Sequence, residues 1–185
     1  MRVSSLKKNS FDESCKIAFH LSDGVKLIPV GNWIIDTEYL LEMVKWRNNY
    51  KDFFFFDQVV DLPNFQEYVI NPFLTDNSRV LYLVYSHQVF SGHIGMHEVG
   101  RGEFELTQVL KGSQYPGFRM SCVVNELLDI YNKEFGLSVA ILHVKANNEK
   151  AINLYRRCGF EESGICYLGH ESCAFMKLSN SRKYL

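Results

Sequence analysis

Residues 144–164 read VKANNEKAINLYRRCGFEESG, and the chain's second half is organised around them. Asn148 is a preferred N-cap type, and the segment NNEKAINLYRRCGF that contains it reads as a short helix brought to a stop by Gly159. The run AILHV before it is a strand, and two further strands follow at about 161–167 and 171–178. Upstream, FRMSCVVNELLDIYNKEF is a strong amphipathic helix with Val123, Leu127, Ile130, Tyr131 and Phe135 on one side and Gly136 as its stop.

Working back from that helix, the loop KGSQYPG follows three strand-like runs at 80–86, 89–99 and 103–110. Their connectors, His87-Gln88 and Gly100-Arg101-Gly102, are short enough to favour antiparallel hairpins. Two helices precede them: TEYLLEMVKWRNN, with Asp36 as the expected N-cap, and NFQEYVINPF, with Pro63 in the first turn. The run VKLIPV from Val25 reads as a strand. The first 24 residues are polar and mixed and read as an N-terminal extension or, through the strand-like stretch at 17–21, as an extra edge strand, with residues 25–185 as the single main domain. The order predicts an α+β (mixed α/β) fold with helices packed on a central sheet.

Composition agrees with one ordinary domain: 185 residues, 46% hydrophobic, 22% charged, formal net charge -1. No long basic run is present, so neither nucleic acid nor an anionic membrane surface is an expected partner. No window approaches a membrane span, and the start MRVSSLKKNSFDESCK lacks the apolar stretch of a secretory signal, so a cytoplasmic protein is expected, as monomer or homodimer. The five cysteines (Cys15, Cys122, Cys158, Cys166, Cys173) include no C-x-x-C pair with zinc-site spacing; they read as reduced thiols packed as small hydrophobes, and no metal is expected.

Val144, Asn148, Ala151, Ile152, Leu154, Tyr155, Gly159 and Phe160 together resemble the strand, Asn and Ala-Ile-x-Leu-Tyr helix of the GNAT superfamily of acyl-CoA N-acyltransferases. The element order from 25 to 178 matches that fold too, which implies a central, mostly antiparallel twisted sheet with helices on both faces. The resemblance implies acetyl-CoA as cosubstrate and a small primary amine as acceptor.

A helix N-terminus offers unpaired N–H groups and a positive dipole end to a diphosphate. The loop Gln114-Tyr115-Pro116-Gly117-Phe118-Arg119-Met120 occupies the position of the family's Arg/Gln-x-x-Gly-x-Gly/Ala motif. Gln114 and Gly117 fit it, Arg119 replaces the last small residue, and Pro116 removes a donor. The amides of Gly117, Phe118, Arg119, Met120 and Ser121 are the expected cofactor cradle, with Arg119 equally readable as a solvated first-turn cation. Degradation of the motif keeps a second reading open, a catalytically silent acyl-CoA-binding module.

By the same resemblance Asn148 touches the cofactor while capping its helix, and Tyr155, otherwise a core tyrosine, is the general acid that protonates the leaving thiolate. Passing a proton from a phenol near 10 to a thiol near 8.5 is uphill by roughly 2 kcal/mol, so the site must lower the phenol or share the proton in the transition state. Main-chain groups near Val109 and Leu110 take the oxyanion role. For the base that neutralises the amine, Glu105 is the first choice and His93 the second, with Glu103 and His97 also on these strands; a solvated charge or a core imidazole is the plain alternative for each.

Trp46-Arg47-Asn48 resembles the motif at the same place in family members that acetylate nucleotide-linked amino sugars, and more loosely in ribosomal-protein N-terminal acetyltransferases. Arg47 would bind a phosphate or carboxylate and Trp46 would stack on a sugar or base, against the plain reading of a helix C-terminus. Phe54 and Phe56, or Phe53 and Phe55, would line an acceptor slot if their stretch is extended.

Overall fold

Alternation along one strand sets the architecture. Val80, Tyr82 and Val84 enter one hydrophobic core while Leu81 and Leu83 enter another, so this strand is buried on both faces. The computed structural model describes residues 2–35, 37–112, 117–168 and 171–179. Its strands are β1 (Phe19–His20), β2 (Val25–Pro29), β3 (Arg79–Ser86), β4 (Val89–Gly100), β5 (Glu103–Lys111), β6 (Val139–Lys145), β7 (Glu161–Leu168) and β8 (Glu171–Ser179). They form one sheet in the order β1-β2-β3-β4-β5-β6-β8-β7. Every pairing is antiparallel except β5 with β6, which is parallel.

The helices are α1 (Phe11–Lys16), α2 (Glu38–Asn49), α3 (Leu62–Phe65), α4 (Asn71–Thr75), α5 (Met120–Phe135) and α6 (Glu149–Arg157). Helix α5 lays Val123, Val124, Leu127, Leu128 and Tyr131 on the first core, opposite Tyr82, Phe104, Leu106 and Met176. Each such side chain contributes about 1.5–3 kcal/mol as an upper bound for burial. Tyr82 and Tyr131 satisfy each other inside it through hydroxyls 2.9 Å apart. Leu40 and Met43 of α2, with Phe65, Ile70 and Phe73, cover the opposite face. Helices therefore lie on both faces, as the mixed α/β reading requires.

One expectation is extended and two need correction. The N-terminal stretch is more than a strand: Val3 and Leu6 are buried in the first core, and α1, capped by the Ser10 hydroxyl accepting from Glu13 N, precedes the two-residue β1. The segment NFQEYVINPF is not one regular helix, because a π-helical turn at Gln66–Ile70 separates α3 from α4. Pro72 supplies the reason: it has no N–H to donate and its ring crowds the preceding turn. Finally, Cys166 and Cys173 are not free thiols. They are direct cross-strand partners on β7 and β8, with Cα atoms 5.2 Å apart, and form a disulfide. Of the others, Cys158 is buried but Cys122 is exposed. Asp36 lies outside the described residues, and the residue flanking α2 is Thr37.

Helix α5 ends as its sequence predicts, on Gly136 in the left-handed region at φ 71, whose N–H bonds Tyr131 O. A Cβ at Gly136 would meet nothing within 4 Å, so Gly136→Ala tests backbone conformation alone. Urea unfolding should show a loss of roughly 1 kcal/mol.

Candidate functional site

Strands β5 and β6 pair only where Glu103, Phe104 and Glu105 face Val139, Ala140 and Ile141. Beyond those pairs both continue, β5 still laddered to β4 as far as Lys111 and β6 to β8 as far as Lys145. The two strands thus part, and a wedge lined by main-chain groups opens between them. Val109 and Leu110 lie on the β5 wall of this wedge, Val109 packed against the first core and Leu110 opposite His93.

Helix α5 starts beside the end of β5. Its N-cap, Arg119, is extended and makes no side-chain capping bond; the Arg119 carbonyl already receives Cys122 N and Val123 N. The amides of Met120 and Ser121 therefore have no acceptor within the helix. The side chains of Phe118 and Met120 are core, so only their main chain can meet a ligand. Arg119 is exposed. Lys111 donates to Phe118 O at 2.8 Å and sits over the Phe118 ring, which holds a cation beside the start of α5. Gln114 falls outside the described residues.

Helix α6 follows β6 directly. Asn148 Oδ1 accepts from Ala151 N at 3.1 Å, which caps the helix and leaves Nδ2 without a partner among the described residues. Tyr155 packs on Phe160 in the first core and is 8% exposed. Burial raises its hydroxyl above the usual phenol value, with Cys158 adding to the effect, so the phenol stays protonated at any working pH. The lowered phenol, one of the two routes left open by the chemistry, is not what the fold supplies.

On the other face of the sheet Glu105 stands between two histidines. His143 Nδ1 donates to Glu105 Oε1 at 3.0 Å, and His97 Nδ1 lies 3.5 Å from Glu105 Oε2. With Nδ1 donating in that bond, a neutral His143 carries its lone pair on Nε2. His143 sits just past the last β5–β6 pair, at the rim of the wedge. His93 does not join this group. It is 1% exposed, its Nδ1 donates to Gln108 O at 2.7 Å, and its Nε2 is buried without a partner among the described residues. Burial pushes its pKa from 6.5 down to about 4, the Gln108 bond opposing only in part, which makes it a weak proton acceptor at neutral pH. Glu103 begins β5 opposite Gly100, at the closed end of the wedge.

The end of α2 forms the remaining wall. Trp46 is buried with its indole flat against Gly112, where a Cβ would lie 1.9 Å from the ring, and it packs on Phe90. Its ring is thus packed against main chain rather than presented as an open stacking surface. Asn48 engages Val60 through both amide atoms, Nδ2 donating to its carbonyl and Oδ1 accepting from its N–H, and so pins the 50–60 loop. Arg47 is 6% exposed; it lies over the Phe54 ring at 4.2 Å, one Nη donates to Phe56 O, and Nη1 is buried with no partner among the described residues. Residues 51–56 form a 3-10 turn followed by bends, not an extended strand, so Phe54 and Phe56 meet Arg47 through a ring and a carbonyl rather than as a paired lining.

Sequence reasoning missed His143, Lys111 and Lys145. Lys145, nearly fully buried, donates to Asp52 O and pairs with Glu171 at 3.2 Å, tying the 50–60 loop to β6 and β8. Alternation along AILHVK puts His143 and Lys145 on one face, but only the parallel pairing of β6 with β5 brings His143 to Glu105.

A family model described as the acetyltransferase (GNAT) family matches residues 40–160. A search of curated proteins finds no matching relative. Among solved structures, spermidine N-acetyltransferase from Vibrio cholerae, in complex with CoA and spermine, is similar at TM-score 0.65 and 21% identity over 80% of this chain and 94% of that one. The microcin C7 self-immunity acetyltransferase, in complex with acetyl-CoA and AMP, is similar at TM-score 0.67 and 13% identity over 84% and 92%. A probable GNAT-family acetyltransferase from Chromobacterium violaceum gives TM-score 0.66 and 16% identity over 84% and 82%.

The environment of His93 predicts a pH dependence. Above 6.5 the imidazole is neutral whether the chain is folded or not, so its contribution is complete; as pH falls towards about 4 the unfolded chain takes a proton that the folded one refuses. Urea unfolding should lose stability across that window, by on the order of 3 kcal/mol at most from this group, and His93→Leu should remove its share. Asp76, whose carboxyl is held at about 2 chiefly by Ser78, adds its loss only below 3.8.

Proposed function

This chain belongs to the acetyltransferase (GNAT) family, and from that premise we propose that it carries the acetyl group of acetyl-CoA to the primary amine of a small molecule that also bears an anionic group. The observation that carries the acceptor class is Arg47. A buried guanidinium keeps one nitrogen without a partner among the described residues, beside Phe54, and a phosphate or carboxylate would complete it with a charge-assisted bond. A nucleotide-linked amino sugar satisfies that nitrogen and provides the amine. A peptide N-terminus with an acidic side chain is the next candidate, and a polyamine, which has no anion, is disfavoured.

Each wall then has a part. The amides of Gly117, Met120 and Ser121, with Arg119 and Lys111 for charge, receive the diphosphate, and the wedge between β5 and β6 takes the pantetheine arm. A main-chain N–H at Val109 polarises the thioester carbonyl. The neutral amine attacks the carbonyl carbon, the new C–N bond forms, and the C–S pair leaves with sulfur. His143 Nε2, oriented by Glu105, takes the amine proton and passes it to solvent. Tyr155 donates its hydrogen bond to the leaving sulfur and shares the proton in the transition state, after which the thiol departs and solvent restores the phenol.

CoA at millimolar concentration should raise the melting temperature, and free thiol should be released from acetyl-CoA with an anionic amine. A CoA-dependent melting shift with no turnover on any amine would instead support the silent module. Tyr155→Phe should lower kcat by on the order of 100-fold with little change in KM for acetyl-CoA. Because burial holds the phenol above its ordinary 10, the wild-type rate should show no alkaline decline attributable to it up to that pH. Arg47→Met should raise KM for the anionic acceptor roughly 10- to 100-fold while sparing acetyl-CoA, and equal loss on cationic and anionic amines would count against the acceptor class.

A further inference from the structure

The ladder between β4 and β5 contains one extra residue on β5. Gly95 faces Thr107, yet His93 faces Leu110, and the surplus falls at Gln108, which has φ 50. That is a left-handed conformation that a glutamine adopts only where something compensates. The compensation is visible: His93 Nδ1 lies 2.7 Å from the Gln108 carbonyl oxygen. A carbonyl only accepts, so the proton is on Nδ1, and the buried Nε2 is a lone pair with no partner among the described residues.

The extra residue decides which way the following peptides point. The Leu110 carbonyl lies against Gly92, 2.3 Å from where a Cβ would stand there, and Gly112 N donates to Ser91 O. Peptide groups alternate in direction along a strand, so the N–H groups of Val109 and Lys111 face the opposite way, into the wedge that β6 has left. Without the surplus residue Val109 itself would stand opposite His93 and point its N–H into the ladder.

We propose that His93 is a positioning residue: as an Nδ1–H donor to Gln108 it locks the bulge, and the bulge aims the Val109 N–H into the wedge as the donor for the thioester oxygen. This rests on the acetyl-transfer reading above and replaces the proton-accepting part first considered for His93. The imidazole touches no substrate, and its influence passes entirely through the main chain of β5.

Three variants separate positioning from packing and from base catalysis. Asn places an N–H donor where Nδ1 stands, Gln places its amide at the Nε2 position, and Leu fills volume without a donor. Steady-state thiol release should fall on the order of 10- to 100-fold in kcat for His93→Leu and for His93→Gln, with KM for acetyl-CoA nearly unchanged, because a ground-state binding contact is not what is lost. His93→Asn should retain kcat within a few-fold, although its smaller side chain leaves a cavity and its melting temperature should be no higher than that of the Leu variant. The carbonyl stretch of bound isotope-labelled acetyl-CoA should lie at the polarised position in wild type and His93→Asn and move towards the free value in the other two. An unaffected kcat in His93→Leu, an Asn variant as impaired as Leu, or a carbonyl stretch that does not move would each overturn the proposal. Absence of wild-type turnover would overturn the acetyl-transfer reading and this inference with it, whereas wild-type turnover with an indifferent Leu variant would overturn the inference alone.

Discussion

The parting of β5 from β6 is the constraint on which the rest of the molecule turns. Main-chain groups that stop pairing in the middle of a sheet lose their hydrogen bonds, and the fold must supply water or a ligand in exchange. Here the strands are held apart by what lies outside them. Strand β4 holds β5 to its end at Lys111, and β8 holds β6 to its end at Lys145. Helix α5 fills the first core beneath both. The gap is thus a built feature of an otherwise continuous eight-stranded sheet, and its polar walls are ready for an extended amide-bearing chain.

The two faces of the sheet divide the chemistry. The first face is dry, and there Tyr155 sits among apolar side chains with its hydroxyl held protonated. The other carries the half-buried Glu105, His97 and His143, where a proton can be passed to water. The phenol and the carboxylate with its two imidazoles thus fall on opposite sides of one sheet, which keeps them from pairing with each other. Lys111, bonded to Phe118 O, and the exposed Arg119 next to it put two cations near the start of α5, so a chain of nearly balanced net charge is locally positive there.

Much of this was legible in the amino-acid order because the patterns were local. Period-two alternation located β3, β4 and β5, period 3.6 located α5, and Gly136 and Asn148 marked helix boundaries as their backbone and capping chemistry dictates. What escaped depends on contacts between distant segments. His143 meets Glu105 only because β6 returns parallel to β5 after a helical crossover. Asn48 reads as an acceptor contact until Val60 occupies both ends of its amide. Cys166 and Cys173 look like isolated thiols in a list of spacings, yet a hairpin register makes them partners. His93, in turn, looks like any strand histidine until its ring is seen to hold a left-handed glutamine.

The indole of Trp46 resting on bare Gly112 has one more implication. A single ring separates the main chain at the end of β5 from the helix end that carries Arg47. With no side chain between them, a shift of the β5 end would pass straight to the indole. Were ligands held on both sides, any coupling carried by this contact would change both affinities by the same factor, through a tryptophan and a residue with no side chain to cushion it.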